Sequence, residues 1–140
     1  MNRFLRHLHI VHLRKTTRSI ISSDAVVDYE TYLEGNNKIG KANISHSFVG
    51  FASYVRSGSL RNCLIGKFCS IGDNVKVIIG NHPIQYVSTF PGFYKTNNSG
   101  IFLVENNISF EEEKLCQNGR AVIIGNDVWI GNNVTIMGGL

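Results

Sequence analysis

Branched aliphatic residues recur at every sixth position over much of the chain. They fall into four runs, with a four-residue offset before the second and third runs: Ile21, Val27, Leu33 and Ile39; Val49 and Val55; Ile65, Ile71 and Val77; Ile124, Ile130 and Ile136. A period of six fits neither an amphipathic helix nor a single alternating strand. It predicts a short strand followed by a corner, repeated many times.

The residues between the aliphatic positions support the same interpretation. Glycine directly follows the aliphatic residue in several hexads, as in Ile65-Gly66 and Ile130-Gly131, and small residues such as Cys69 and Ser59 lie four positions after it. Glycine and asparagine adopt the positive φ angles that tight corners require. We therefore predict triangular coils whose aliphatic side chains point inward and stack on their copies in neighbouring coils.

The repeat is interrupted for about 40 residues between Val77 and Ile124, a length that is more often functional than structureless. The interruption opens with the sequence GNHP at 80–83 and continues with STFP at 88–91. We predict a loop excursion over 81–121, which leaves the rigid coils and folds over a groove.

The hexads IGKFCS-IGDNVK and IGNDVW-IGNNVT, together with the NHP turn and the ST-x-P segment, resemble those of the hexapeptide-repeat acyltransferases. The similarity is to their xenobiotic and polysaccharide O-acetyltransferase branch and covers roughly 21–140. It implies an all-β fold, a left-handed parallel β-helix with a long loop excursion and a short N-terminal helix. The domain boundaries predicted are a basic arm over 1–20 and the β-helix over 21–140.

The resemblance aligns His82 with the catalytic histidine of these enzymes. Imidazole titrates near neutral pH, so it can take a proton from an acceptor hydroxyl and return it to a leaving thiolate. The resemblance places the amide of Asn132, just after WIG, as the donor to the oxyanion. A turn histidine that merely precedes Pro83 is the alternative, and the repeat and loop together favour catalysis.

The resemblance also implies a site for acetyl-CoA, the acyl donor. Trp129 and Asn132 would lie along its groove, and Gly138 and Gly139 would lie at its edge. Because an exposed indole needs a cover, an anchor at a subunit interface is the alternative for Trp129.

Four residues of the loop are predicted to bind the acceptor: Asn81, Tyr86, Phe90 and Tyr94. Aromatic rings in a long loop can equally pack that loop down, and the sequence leaves both roles open. No metal site is predicted, because zinc enzymes with this fold need three converging histidines and only His46 and His82 lie outside the arm.

The net charge of +4 belongs to the arm, where five basic residues precede the first acid, Asp24. These residues are Arg3, Arg6, Arg14, Lys15 and Arg18. The body therefore has no predicted basic groove for nucleic acid. Apolar residues at helical spacing, Phe4, Leu8 and Val11, predict a helix. It either caps the first coil or attaches to the inner face of an anionic membrane.

The sequence alone favours a cytoplasmic acetyl-CoA-dependent O-acetyltransferase that modifies a sugar hydroxyl in surface polysaccharide biosynthesis. Three cysteines without a CxxC pair are typical of a reducing compartment. The resemblance implies a homotrimer with active sites between subunits. One alternative is an antibiotic O-acetyltransferase of the chloramphenicol or streptogramin type. The other is a noncatalytic β-helix module, because related enzymes continue past IMGG, so that C-terminal coils and part of the coenzyme site are expected to be missing at Leu140.

Overall fold

The computed structural model of the chain describes residues 3–95 and 110–140. One α-helix precedes a series of mostly very short strands. In chain order the elements are α1 (Arg3–Thr17), β1 (Ile20–Ile21), β2 (Val26–Val27), β3 (Tyr32–Leu33), β4 (Lys38–Ser45), β5 (Phe48–Val49), β6 (Tyr54–Arg61), β7 (Cys63–Ile65), β8 (Ser70–Ile71), β9 (Val75–Ile78), β10 (Val122–Ile124), β11 (Trp129–Ile130) and β12 (Thr135–Met137). Two 3-10 turns, Pro91–Phe93 and Gln117–Gly119, lie between β9 and β10.

Within 3–95 and 110–140 all of the strand pairs are parallel, and each joins equivalent positions of successive coils. One sheet has the order β1-β4-β6-β8-β11, with β2 beside β4 and with β9 between β6 and β12; the other has the order β10-β7-β5-β3. Parallel strands that stack coil on coil form a β-solenoid consistent with the predicted left-handed β-helix. The predicted fold class is therefore confirmed.

The aliphatic positions stack as predicted. Along one sheet the Cα partners run from Ile21 to Ile39, Val55, Ile71 and Ile130. The other sheet aligns Leu33, Val49, Ile65 and Ile124 in the same way. The coil that follows the excursion thus lies directly on the coil that precedes it.

The four-residue offsets in the repeat are explained by two inward residues that do not follow the spacing of six. Ile44 and Leu60 are fully buried and paired with each other, and each lies five residues from the aliphatic positions on either side. The strands β4 and β6 run for eight residues through the corner that would otherwise separate two sides of the coil. Ser59, which the spacing of six predicts as the small residue of a corner, is exposed on β6, and Leu60 takes the inward position.

Glycine is required at this shortened corner. Gly58 has φ of +132°, and a Cβ placed on it would lie 1.9 Å from the carbonyl oxygen of Val75 in the next coil. Only a residue without a side chain permits this approach of two backbones.

The helix α1 packs on the first coil through one face. Ile10 and Leu13 join the hydrophobic core, the guanidinium of Arg14 donates to the carbonyl of Ile21, and the ring of His9 lies 4.4 Å from that of Tyr29. The predicted helical residues Phe4, Leu8 and Val11 are on the opposite, exposed side. In the described residues, no helix has the length and apolar character needed to cross a bilayer.

Candidate active site

The described parts of the excursion are an outgoing leg up to Lys95 and a returning leg that begins at Phe110. The two legs are joined to each other close to the coils. Beyond β9, Gly80 forms an antiparallel bridge with Glu113, and the amide of Asn81 donates to the carbonyl of Glu112 at 2.7 Å. The Asn81 side chain donates to the carbonyl of Ile79 at 3.2 Å. The chain re-enters a strand at Val122. The middle of the predicted excursion, 96–109, lies outside the described residues.

His82 follows this anchor directly. The neighbouring Pro83 is buried, whereas the imidazole is exposed. Its Nδ1 lies 3.0 Å from the carbonyl oxygen of Thr89 and 3.0 Å from the hydroxyl of Tyr94. A carbonyl oxygen only accepts, so the Thr89 contact requires a hydrogen on Nδ1 and leaves the lone pair on Nε2. A backbone carbonyl thus orients the ring for work as a base.

Aromatic rings fix the loop behind the histidine. Tyr94 is only 3% exposed, and its ring meets that of Phe110 edge-on at 5.5 Å between centroids. Tyr86 contacts the same phenylalanine at 6.0 Å. Rings arranged edge to face gain stability beyond the area that they bury. Phe110, on the returning leg, therefore joins two parts of the outgoing leg.

The hydroxyl of Tyr94 stays protonated at neutral pH. Burial raises the pKa of this phenol, and the nearby carboxylate of Glu112 raises it further, against the opposing charge of Lys95. The same two charged residues form an ion pair at 2.9 Å between the outgoing and returning legs. The phenol is consequently a neutral hydrogen-bonding group beside His82.

The residues predicted to bind the acceptor occupy different environments. Tyr86 is 36% exposed and Phe90 is 45% exposed, and the Phe90 ring lies 6.3 Å from that of Phe93. Tyr94 is the buried one, with its hydroxyl on the imidazole. The acceptor-binding roles of Asn81, Tyr86, Phe90 and Tyr94 stay predictions.

The residues predicted to bind acetyl-CoA lie on the last coils. Trp129 is 82% exposed on β11 and is paired with Ser70. The side-chain oxygen of Asn132 accepts from the amide of Asp73 at 2.7 Å. Gly138 is buried, and its amide donates to the carbonyl of Ile78, the last residue of β9. The amide of Gly139 donates to Ala121, so both glycines lie beside the roots of the excursion.

Sequence reasoning missed Thr89 and Phe110 as parts of this site. Thr89 acts through its backbone carbonyl, and any residue type could supply that group. Phe110 is separated from Tyr94 by a stretch without a repeat, so no spacing connected the two. The STFP segment was a signal for the neighbourhood of Thr89, but it gave no sign of which atom would be used.

Two other kinds of reactive site were sought in the described residues, a cysteine nucleophile and a metal centre. Burial raises the pKa of the Cys63 thiol to about 12, so at neutral pH it lacks the thiolate that a nucleophile requires. Over 3–95 and 110–140, no group of three His, Cys, Asp or Glu side chains could hold a metal ion.

A parallel β-helix with a histidine on a loop between two of its coils has the architecture that the sequence resemblance implied. Comparison with known proteins points to the same class. The chain is 43% identical over 79 residues to a probable macrolide acetyltransferase of Lysinibacillus sphaericus, which covers 55% of the chain and 40% of the relative. It is 34% identical over 100 residues to a chloramphenicol acetyltransferase of Escherichia coli, covering 68% of the chain and 44% of the relative.

A third relative, the chloramphenicol acetyltransferase of Agrobacterium fabrum, is 35% identical over 103 residues, with the same two coverages. These relatives and the solenoid confirm the resemblance to the hexapeptide-repeat acyltransferases, without deciding the branch. The chain spans less than half the length of these curated relatives. No family model matches the chain, and no solved structure matches it.

Proposed function

We propose that the chain is part of an acetyl-CoA-dependent O-acetyltransferase whose acceptor is a hydroxyl of a drug-like small molecule. The observation that carries this proposal is the contact of His82 Nδ1 with the Thr89 carbonyl, which keeps a lone pair on Nε2. The names of the relatives, chloramphenicol and macrolide acetyltransferases, support the acyl donor and favour a drug as acceptor.

The proposed reaction is a direct transfer. Nε2 of His82 takes the proton as the acceptor oxygen bonds to the thioester carbonyl, giving a tetrahedral intermediate. The amide of Asn132 is proposed to donate to its oxyanion, and the groove beside Trp129, Gly138 and Gly139 to hold the coenzyme. Collapse of the intermediate breaks the carbon–sulfur bond, and the imidazolium gives its proton to the leaving thiolate.

The comparisons changed the preferred acceptor from a sugar to a drug. The sequence alone favoured a sugar hydroxyl in surface polysaccharide biosynthesis, and none of the three relatives described above carries a name of that kind. The partly exposed rings of Tyr86 and Phe90, on the same loop as His82, suit an acceptor with an aromatic or apolar face. Polysaccharide modification is therefore the second candidate.

The test is acetyl-CoA consumption with a panel of chloramphenicol, macrolides, streptogramins and sugars, followed by mass spectrometry of the products. We expect an acetylated drug from the unaltered chain and a loss of about 100-fold or more in His82→Ala. Tyr29→Phe, on the first coil, is the control and should retain full activity. Turnover that survives in His82→Ala would exclude the proposed base. Acetylation of sugars alone would replace the acceptor.

A homotrimer with active sites between subunits is part of the same proposal. One face of the solenoid supports it, because the outward positions Tyr32, Phe48, Leu64 and Ile123 are paired in register and form a continuous apolar column. The rings of Tyr32 and Phe48 stack at 5.5 Å. An apolar column suits a subunit contact. Light scattering should give three chains per particle, and Phe48→Glu should release monomers.

A cytoplasmic location, with the arm on the inner membrane surface, completes the proposal. The three free thiols Cys63, Cys69 and Cys116 support a reducing compartment. The outward residues of α1, Phe4, Leu5, Leu8 and Val11, are 44–67% exposed, and no acid precedes Asp24. Such a face suits an anionic surface. Binding to vesicles with phosphatidylglycerol should exceed that to neutral vesicles, and Leu8→Glu should abolish it.

A further inference from the structure

The imidazole of His82 has two oxygen partners on one nitrogen. The Thr89 carbonyl and the Tyr94 hydroxyl both lie 3.0 Å from Nδ1. Two acceptors can share one N–H, whereas a lone pair on Nδ1 would face the Thr89 carbonyl oxygen without a hydrogen between them. The arrangement that satisfies both contacts has the hydrogen on Nδ1 and uses an oxygen lone pair of the tyrosine.

The tyrosine oxygen is held in place by its surroundings. The backbone amides of Tyr94 and Lys95 both donate to the carbonyl of Pro91, at 3.1 and 2.8 Å. The ring packs against Phe110, and the ion pair of Lys95 with Glu112 joins the two legs of the excursion next to Tyr94. A side chain that is 3% exposed and restrained in this way has little freedom to turn away from the histidine.

Its burial also separates Tyr94 from the acceptor. The sequence predicted that this residue binds the acceptor. In the structure its hydroxyl contacts Nδ1 of His82, and its ring packs edge-on against Phe110. By contrast, Tyr86 and Phe90 present exposed ring surface. Tyr94 therefore acts on the histidine, on the side of the ring away from the reacting nitrogen.

We infer that Tyr94 is a positioning residue for His82, whose hydroxyl oxygen shares the Nδ1 hydrogen with the Thr89 carbonyl and so keeps Nε2 as the base. When the ring takes a proton at Nε2, the positive charge strengthens both Nδ1 contacts. The hydroxyl therefore stabilises the imidazolium more than the neutral ring. This inference rests on the proposed function for its effect on rate, but not for its effect on the ring.

The tautomer of the His82 ring is tested by nitrogen NMR of the histidines in the free protein. The signals of His82 are assigned by their loss in His82→Ala, and the ¹⁵N shifts give the proportion of the two neutral tautomers. We expect the form with hydrogen on Nδ1 to predominate in the unaltered chain and its proportion to fall in Tyr94→Phe, which keeps the ring packed on Phe110. Tyr29→Phe, a hydroxyl removed from the first coil, should leave the tautomers unchanged.

The test of the rate is a comparison of kcat and KM. In Tyr94→Phe we expect kcat to fall roughly 3- to 10-fold, the effect of one hydrogen bond, with KM for acetyl-CoA and for the acceptor unchanged. A rise in the acceptor KM at constant kcat would instead place Tyr94 in the acceptor pocket and overturn the inference.

Two further outcomes test this inference, and the second of them separates it from the proposed function. If the unaltered chain has its hydrogen mainly on Nε2, the inference is wrong, whatever the variant does and even if the variant fails to fold. If Tyr94→Phe shifts the tautomers while His82→Ala keeps full acetyl transfer, Tyr94 orients the ring and the catalytic role of His82 is the part that fails.

Discussion

The coils and the excursion are built in opposite ways. In the coils, each inward side chain is repeated by the coils next to it, and residues such as Ile65 and Ile71 are fully buried. In the excursion, large apolar residues such as Ile84 and Val87 are almost fully exposed. In the described parts of the excursion, the contacts between its two legs are chiefly those of Tyr94 with Phe110 and of Lys95 with Glu112.

This difference explains why the candidate base lies on the excursion. The inward side chains of the coils stack on one another, so their positions cannot change without loss of the core. A loop rooted in a rigid frame can present chemistry while the frame holds its ends together. His82 lies two residues from the bridge between Gly80 and Glu113, close enough to the frame to be held firmly.

The largest effect that separates the two regions is expected from adding one methyl group to a glycine. Gly58→Ala places a Cβ against the Val75 carbonyl at a positive φ, and we expect it to lower the free energy of unfolding by more than about 4 kcal/mol or to prevent folding. At Gly80, where the excursion begins, an added Cβ meets no atom within 4 Å. Gly80→Ala should therefore change the free energy of unfolding by less than about 0.5 kcal/mol. Urea unfolding of both variants measures the difference, and equal effects would contradict the account of the shortened corner.

A smaller effect is expected when an apolar side chain is shortened in each region. Leu60→Ala leaves a cavity in the fully buried core and should cost about 3 kcal/mol. Ile84→Ala, at a residue 87% exposed on the excursion, should change stability by less than about 0.5 kcal/mol. Thermal unfolding of the matched pair checks this expectation. If Leu60→Ala proved neutral, the inward position assigned to Leu60 would be incorrect.

The smallest effect concerns a charged corner of the coils and depends on pH. The Phe51 amide donates to Glu34 at 2.7 Å and Lys67 pairs with it at 3.0 Å, and these contacts, in that order, lower the pKa of the carboxyl below 4.5. A lowered pKa stabilises the folded chain above the ordinary value, and the gain is lost as pH falls through the folded value. The unaltered chain should therefore exceed Glu34→Gln in stability at pH 7, with the gap closing as pH falls below the ordinary pKa of a glutamate. A gap that is independent of pH would show that the carboxylate charge is not its cause.

The sequence predicted the solenoid well because its signal is repeated. Every copy of the hexad predicts the same inward position. A wrong prediction for a single residue, such as Ser59, therefore does not change the predicted fold. The repeat failed only where the coil itself is irregular. Ile44 and Leu60 lie five residues from their neighbours, a spacing that a period of six passes over, and only the pairing of the long strands identifies them.

The helix of the arm shows a similar limit. Its apolar residues lie on two faces, and a helical spacing by itself does not say which face packs. Phe4, Leu8 and Val11 have the stronger pattern, yet Ile10 and Leu13 are the ones that the first coil covers. Contacts beyond the apolar pattern accompany this orientation, namely those of Arg14 with the Ile21 carbonyl and of His9 with Tyr29.

By itself, then, the sequence determined the coils and the place of the excursion, since each depends on a local pattern of side chains, and the catalytic role of His82 stays a prediction. The tertiary structure alone decided which atoms orient that histidine. Thr89 contributes a carbonyl that every residue has, and Tyr94 and Phe110 meet across a stretch that carries no repeat. Contacts of this kind depend on which atoms the fold brings together, and no spacing in the sequence indicates that.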